Sequence, residues 1–392
     1  MSSTEFEALA SKVEAMKPLI REHRGTAERE RTLAAPVVEA MLDAGLLRAW
    51  VPKAYGGFEL HPVEAVQLWE SIAKEDAAAG WIASNQSAVA YLTQVLPESA
   101  SASIWLESDA LIAGGWFPPA PAVRVEGGFR VTGQWAFGSG CRYATWLTGQ
   151  AIEMENGQPK LNEAGLPNLL IIFFPRADGD IIEDSWDALG MRGTGSNDIR
   201  VHDLFVPDAF TWSISPLDPP APFRGPLYGM RLWFAAVPIA AVALGIASAA
   251  LRDLMALASQ KTPSYTTIGL ADRSIVQDQL ARVTAKVDAA RDYLHSTLNR
   301  TMELTSTGSP LTPDRGLHLQ LASTHAIVAC QEAVDTIQTL AGTTGIRESA
   351  PFERHFRDIH TLSQHAFGSG ARFESVGKLL LGRESDWGFF YL

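Results

Sequence analysis

The chain has 392 residues, 46% hydrophobic and 19% charged, a balance that fits a soluble globular protein and excludes a disordered one. That length buries a large core and allows two or three domains. With 32 basic against 44 acidic side chains the formal charge is −12, so nucleic acid, whose phosphates need a basic surface, is not an expected partner.

Residues 1–110 read as helical. Thr4-x-x-Glu7 is a capping-box pattern, and Phe6, Leu9, Val13, Met16 and Ile20 follow at helical spacing. Val37, Val38, Met41, Leu42, Leu46 and Leu47 repeat the pattern up to Pro52, and Tyr55-Gly56-Gly57 marks a turn. Helices are expected over 62–75, 77–95 and 98–108. From 111 to 225 the runs become short, β-branched and aromatic. Residues 123–132 alternate around a Gly127-Gly128 turn, as a hairpin does. Residues 169–175 form a buried strand, and 199–207 alternate again. A small β-barrel or sandwich is the expected result, closed by a Pro-rich connector at 216–226. Residues 226–392 return to helices, over 232–259, 272–306, 311–342 and 350–381, the last with a break at Gly368-Ser369-Gly370. Helices, then strands, then a helical bundle is the order of an α+β protein, with domains at 1–110, 111–225 and 226–392.

No charge lies between Arg231 and Arg252, and that stretch is just long enough to span a bilayer. It is rich in Ala and Gly, holds Pro238 and Ser248, and has no second segment like it. The reading is a central bundle helix and no membrane. Met1 to Arg31 is charged throughout, without the apolar stretch of a signal peptide. Only Cys141 and Cys330 are present. The expected compartment is therefore the cytoplasm, with both thiols free.

Several chemistries are disfavoured by their missing motifs. Gly193-Thr194-Gly195-Ser196-Asn197-Asp198 lies between strand-like runs and carries Asp where a dinucleotide loop needs its third Gly. No phosphate-binding GxxxxGK[ST] and no HExxH occur, and no GxSxG surrounds Ser139, Ser196 or Ser369. Two cysteines cannot build a structural zinc site alone, and His318 and His325 are read as bundle residues, so no metal is expected. Two distant stretches stand out instead. One is Gly133 to Cys141, which sets the Ser139 hydroxyl in a glycine turn. The other is Arg357 to His365, which puts a histidine in a helical region. Together they suit a site built across two domains.

Further stretches carry a resemblance. Val51-Pro52-Lys53-Ala54-Tyr55-Gly56-Gly57 resembles the VPxxYGG turn of the acyl-CoA dehydrogenase fold. Gly190-Met191-Arg192-Gly193-Thr194-Gly195-Ser196 resembles its GMRxTGS segment. Gln338-Thr339-Leu340-Ala341-Gly342 with Gly345 resembles its flavin-contacting glycine stretch, and Arg354 with Arg357-Asp358 its R-x-x-RD pair. The resemblance spans nearly the whole chain. It implies an N-terminal helical domain, a middle β domain and a C-terminal four-helix bundle in a homotetramer. It also implies flavin contacts from Thr194 and Ser196, and from Gln338 and Gly342, the latter often toward a neighbouring subunit.

A dehydrogenase on this fold needs a carboxylate to remove a proton beside a thioester carbonyl. Residues 362–370 hold no acid, and 232–259 hold only Asp253. Trp135-x-Phe137-x-Ser139-Gly140-Cys141, Asp76-x-x-x-Gly80-Trp81 and His365 instead resemble the two-component, reduced-flavin-dependent monooxygenases. These hydroxylate phenols, indoles and similar rings through a flavin C4a-hydroperoxide formed with O2. The resemblance implies reduced FAD or FMN supplied by a separate NAD(P)H:flavin reductase, which agrees with the missing dinucleotide loop. It places Ser139 at the flavin N5 and His365 at the substrate's proton. It adds Trp135, Phe137 and Gly140 as cofactor contacts, and Trp81, Asn85, Trp116 and His360 as substrate contacts. Relatives carry a histidine seven to nine residues after the Gly-Trp pair, where this chain has Ser87-Ala88-Val89-Ala90. That difference favours indole or a bulkier heteroaromatic over phenol. The alternatives are an acyl-CoA dehydrogenase oxidising a thioester and a non-catalytic flavin-fold binding protein.

Overall fold

The computed structural model describes residues 3–106, 110–162, 165–214, 219–309 and 311–391. The last two residues of the helix expected over 98–108, and 216–218 of the connector, lie outside them. The N-terminal helices are α1 (Thr4–Glu30), α2 (Ala35–Ala44), α3 (Pro62–Ala73), α4 (Ala77–Tyr91) and α5 (Glu98–Leu106). Ser3, not Thr4, caps α1: its Oγ accepts from the Phe6 N–H at 3.2 Å. Gly45 ends α2 at φ 75°, a left-handed conformation that glycine adopts without steric cost. Pro62 sits in the first turn of α3, where its missing N–H removes no helical bond.

The strands are β1 (Ile112–Val125), β2 (Gly128–Gly138), β3 (Trp146–Glu155), β4 (Gln158–Pro159), β5 (Leu169–Pro175), β6 (Asp180–Ile182), β7 (Asn197–Pro207) and β8 (Thr211–Ser213). Their order is β6-β7-β2-β1-β3-β5-β8, with β4 on β3. The hairpin reading of 123–132 holds, with Val125 opposite Gly128. The sheet curls over its own core. The rings of Trp135 on β2 and Phe174 on β5 lie 6.0 Å apart although β1 and β3 separate their strands. β3 eluded the period-two reading because five consecutive residues, Leu147 to Ala151, are buried.

The C-terminal helices are α6 (Val237–Ala258), α7 (Ser274–Thr305), α8 (Pro313–Ala341), α9 (Phe352–Leu362) and α10 (Ala371–Leu380). α6 begins five residues later than 232. Residues 226–236 form tighter turns broken at Arg231 (φ 49°, ψ −143°), and Pro238 falls in the first turn of α6. Among the described residues one helical stretch, Pro226–Ala258, has the length and composition to cross a membrane, and its most apolar window is 94% buried in the protein. It is the central core helix. The break expected at 368–370 is present as the gap between α9 and α10.

Both helical regions share one hydrophobic core. One close seam is made by small residues: a Cβ on Gly80 of α4 would lie 2.4 Å from the Ala73 Cβ of α3, and one on Gly245 of α6 would lie 2.5 Å from the same atom. Glycine at those two positions lets α4 and α6 both close on α3. This seam fixes the part of α4 that carries Trp81.

Candidate active site

α4 starts at Asp76, whose Oδ1 accepts from the Ala79 N–H at 2.8 Å, the usual way an N-cap satisfies a first-turn donor. One turn further, Trp81 donates from Nε1 to the Ser139 Oγ at 3.0 Å. Ser139 follows β2, whose pairing with β7 is irregular between Trp135 and Gly138. Phe137 sits inside that irregularity at φ 68°. A bulge reorients side chains: Trp135 stays inside the sheet and Phe137 turns out, 62% exposed with its edge against Trp186. Gly140, at φ 74°, runs close under α4. A Cβ there would lie 3.0 Å from Gln86 Nε2 and 3.2 Å from Ile82 Cδ1.

The Ser139 hydroxyl belongs to a buried relay. Its Oγ is 2.7 Å from Ser196 Oγ, which is 2.7 Å from Thr194 Oγ1, which donates to the Met191 carbonyl at 2.8 Å. Each hydroxyl has one proton and two lone pairs. Thr194 spends its proton on Met191, so Ser196 must donate to Thr194 and Ser139 must donate to Ser196. Ser139 Oγ accepts from Trp81 on one lone pair and keeps the other free. It can accept one more hydrogen bond and has no proton to give.

Buried charge holds this arrangement against α9. Arg354 donates to Asp76 Oδ2 at 2.6 Å and lies 3.7 Å from an Asp358 carboxylate oxygen. Asp358 Oδ1 accepts from the Met191 N–H at 2.6 Å. Burial pushes the Asp358 carboxyl up to about 7, against the pull of Arg354 and of the Met191 N–H. Gly190 packs so closely that a Cβ would lie 2.2 Å from the Arg357 carbonyl oxygen. Arg357 ties the same corner to Glu28 at 2.8 Å and to Glu353 at 2.7 Å. The R-x-x-RD pair thus fixes the start of α4 and the 190–196 loop together.

His365 lies just past α9, with its ring 5.5 Å from that of Trp81. Burial pushes its pKa down to about 4, so the ring is neutral at neutral pH. The Phe367 N–H donates to its Nδ1 at 3.4 Å, which leaves the proton on Nε2. Phe367 continues an aromatic wall, 5.9 Å from His365, 6.3 Å from Trp116 and 5.4 Å from Trp387. Trp116 also stacks near Phe389 at 6.3 Å. The structure therefore gathers Ser139, Gly140, Thr194, Ser196, Trp81, His365 and, through Phe367, Trp116.

Other expected residues fall elsewhere. Trp135 is fully buried inside the sheet and donates to the Gln150 carbonyl at 2.7 Å. It offers no surface to a cofactor, and that expectation is corrected. His360 bonds Asp335 of α8 at 2.8 Å and stacks on Phe356, on the bundle side of α9 and away from Ser139. Gln338 donates to the Gly345 carbonyl at 2.8 Å, and Lys261 donates to the neighbouring Ala341 carbonyl at 2.7 Å. Gln338 and Gly342 thus lie at the far end of α8, outside the Ser139 cluster. Asn85 is partly exposed; its neighbour Gln86 is the residue that reaches the site. Gln86 is 3% exposed, its Nε2 is 3.5 Å from the Ser139 carbonyl oxygen, and its Oε1 has no partner among the described residues. The sequence signal for it was its place among the polar residues nearest the stretch where relatives carry a histidine. Cys141 is an inert neighbour, its thiol pushed up to about 11 by burial. Cavities of about 510 and 410 Å³ open elsewhere, one beside Lys53 and Asn299 and one beside Arg21, on the outer side of the Asp76–Arg354–Asp358 cluster.

A reduced flavin fits these residues. The free lone pair of Ser139, the unpaired Oε1 of Gln86, the glycine at 140 and the outward Phe137 ring together offer polar and apolar contacts to a flat heteroaromatic ring. The sequence comparisons agree. Residues 5–100 match the model for the acyl-CoA dehydrogenase N-terminal domain, and 237–369 match one for its C-terminal domain. The indole-3-acetate monooxygenase of Pseudomonas putida is 34% identical over 98% of this chain and 95% of its own. The chain belongs to the acyl-CoA dehydrogenase family. Within that family it is a flavin-dependent monooxygenase. A second relative, the FADH(2)-dependent resorcinol hydroxylase oxygenase component of Rhizobium sp., is 27% identical over 96% of this chain and 94% of its own. In fold the monooxygenase superposes on XiaF from Streptomyces sp., solved with FADH2 and glycerol, with a TM-score of 0.87 at 23% identity over 97% and 96% of the two chains. Thioester oxidation finds no base in this family member. Asp253, the acid of α6, is occupied by His355 at 2.8 Å and Arg252 at 3.0 Å.

Proposed function

We propose that this monooxygenase hydroxylates an indole-type ring, using reduced FAD or FMN delivered by a separate NAD(P)H:flavin reductase. One oxygen atom of O2 enters the ring and the other leaves as water, with both electrons drawn from the reduced flavin. When bound, the flavin supplies the activation of O2. The protein's part is to hold, dry and hydrogen-bond the reacting groups. The observation that carries this reading is the Ser139 hydroxyl, whose proton is committed and whose one free lone pair can accept from a flavin N–H. Such a contact holds a proton in place and opens no route for losing it. Trp81 and Ile82 exclude water beside it.

His365, neutral and protonated on Nε2, donates a hydrogen bond to oxygen at the substrate's reacting edge. Burial disfavours its charged form, so of the two roles open to this histidine, giving a proton to oxygen is favoured over accepting one from the substrate. Trp81, Phe367 and Trp116 offer ring faces to an aromatic substrate. We also propose a cytoplasmic homotetramer in which Gln338 and Gly342 reach a neighbouring subunit's cofactor. Gln338 supports this with an unpaired, buried Oε1.

The decisive experiment supplies the protein with reduced flavin from a generic reductase, O2 and indole, and follows oxygenated product against hydrogen peroxide. Coupled product formation is expected. Bleaching of the oxidised flavoprotein by an acyl-CoA under anaerobic conditions would overturn this reading in favour of a dehydrogenase.

A further inference from the structure

Arg372, in the first turn of α10, is the unexplained cation of the site. Its Nε and Nη1 are buried and have no hydrogen-bond partner among the described residues. The side chain is half-buried, and these two nitrogens are the part withdrawn from water; buried polar groups are almost always paired, so leaving them without an acceptor is costly. Glu374 and Asp386 favour its charge from a distance but are not hydrogen-bonded to Nε or Nη1, and both carboxylates bind Lys378, at 3.1 and 3.2 Å. The Arg372 side chain is fixed in plane, with Cζ 3.8 Å from the centre of the Trp387 ring. Its nitrogens are thereby held ready in a fork that suits a planar anion.

Position gives this cation its meaning. Trp387 lies 5.4 Å from Phe367, and Phe367 lies 5.9 Å from His365, whose ring is 5.5 Å from that of Trp81, the donor to Ser139. One continuous aromatic wall thus runs from the hydroxyl relay to an unpaired guanidinium. Tight turns join His365 to Arg372: Gly368 and Ser369 donate to the His365 carbonyl, and Arg372 donates to that of Ser369. The ring-to-ring contacts place the Arg372 Cζ within about 15 Å of the His365 ring, a span that can take a bicyclic ring carrying a short acidic arm.

We propose that Arg372 binds the carboxylate of the substrate, so that the enzyme's natural substrates are aromatic acids of the indolylacetate type and not neutral rings. This rests on the oxygenase reading above and names the substrate class of the same site.

The test compares indole-3-acetate with its methyl ester in wild type, Arg372→Met and Arg372→Lys, with reduced flavin from a generic reductase. Arg372→Met keeps an apolar stem over Trp387 and removes the charge. In it the acid-over-ester ratio of kcat/KM falls about 10- to 100-fold, the range for losing a charge-assisted hydrogen bond, and Arg372→Lys recovers part of the ratio. Tryptophan fluorescence titrations without turnover show the same loss of affinity for the acid. An equal change for acid and ester, or a wild type that does not prefer the acid, overturns the assignment. The two readings fail separately. A wild type that oxygenates the ester and ignores the acid keeps the oxygenase and loses the Arg372 role. Should wild type oxygenate neither compound, the oxygenase reading fails, and the fluorescence titrations still decide whether Arg372 holds the acid.

Discussion

The two ends of the aromatic wall are built on opposite plans. At the Ser139 end the hydroxyls of Ser139, Ser196 and Thr194 each find a place for their proton inside the fold, and one lone pair is left over. At the Arg372 end two buried donor nitrogens find no acceptor among the described residues. Cofactor chemistry that must not lose a proton calls for a hydrogen-bond pattern fixed before anything binds, and preorganised dipoles cost no rearrangement during reaction. Substrate selection works the other way. A buried group left unpaired penalises every ligand that fails to pair it. One end is completed by the chain and the other by what it recognises.

The sharpest way to break this contrast is to remove the cluster that preforms the first end. Arg354→Met leaves Asp76 and Asp358 without their shared cation, in a place where their side chains are nearly inaccessible. Breaking a buried charge network typically costs about 3–5 kcal/mol, and urea unfolding should register a loss of that order. The same variant should loosen the start of α4 and the 190–196 loop, so that peroxide replaces product even where the protein remains folded. If coupling survived the stability loss intact, the relay would not depend on this scaffold, and the description of a preformed end would fail.

His365 stands between the two ends, and its protonation separates them. Its pKa is lowered by burial from 6.5 to about 4. Between those values the unfolded chain binds a proton that the folded one does not, so stability falls as pH drops from about 6.5 toward 4. The full shift corresponds to at most about 3 kcal/mol, an upper bound because the ring keeps some contact with solvent. His365→Gln should flatten that part of the stability-versus-pH curve. A curve unchanged in the variant would place the acid sensitivity elsewhere.

Much of this architecture was legible in the sequence, and the failures have physical causes. The Gly127-Gly128 hairpin and the break before α10 follow from local turn chemistry. β3 does not, because a strand buried on both faces loses its alternation. Trp135 was misplaced for a subtler reason. Residues two apart on a strand share a face, so W-x-F reads as one surface, and only the irregularity at Phe137 parts the two rings. Ser139 and His365 stood out by type, but their partners, Trp81 and Phe367, lie 58 and 2 residues away, and neither spacing carries a periodic signal. Gln86 was marked only by its place beside Asn85, and Arg372 not at all, because what distinguishes each is a missing partner, and that exists only in three dimensions.

The finest test sets Ser139→Ala beside Ser196→Ala. Ser139→Ala strands the Trp81 Nε1–H and removes the acceptor itself. A stability loss of about 1–3 kcal/mol should accompany a switch from product to hydrogen peroxide. Ser196→Ala costs about 1 kcal/mol, and it removes the acceptor that holds the Ser139 proton. Ser139 is then free to turn its O–H toward the cofactor and becomes a donor where the wild type offers only a lone pair. Peroxide release should rise in both variants, with different dependence on deuterated solvent. Proton escape through a freed Ser139 hydroxyl slows in D2O, so uncoupling in Ser196→Ala should shrink there, while in Ser139→Ala, which has no hydroxyl to donate, it should not. Equal solvent isotope effects in the two variants would mean that the relay does not set the direction of the Ser139 proton, and the first end of the wall would be no more preformed than the second.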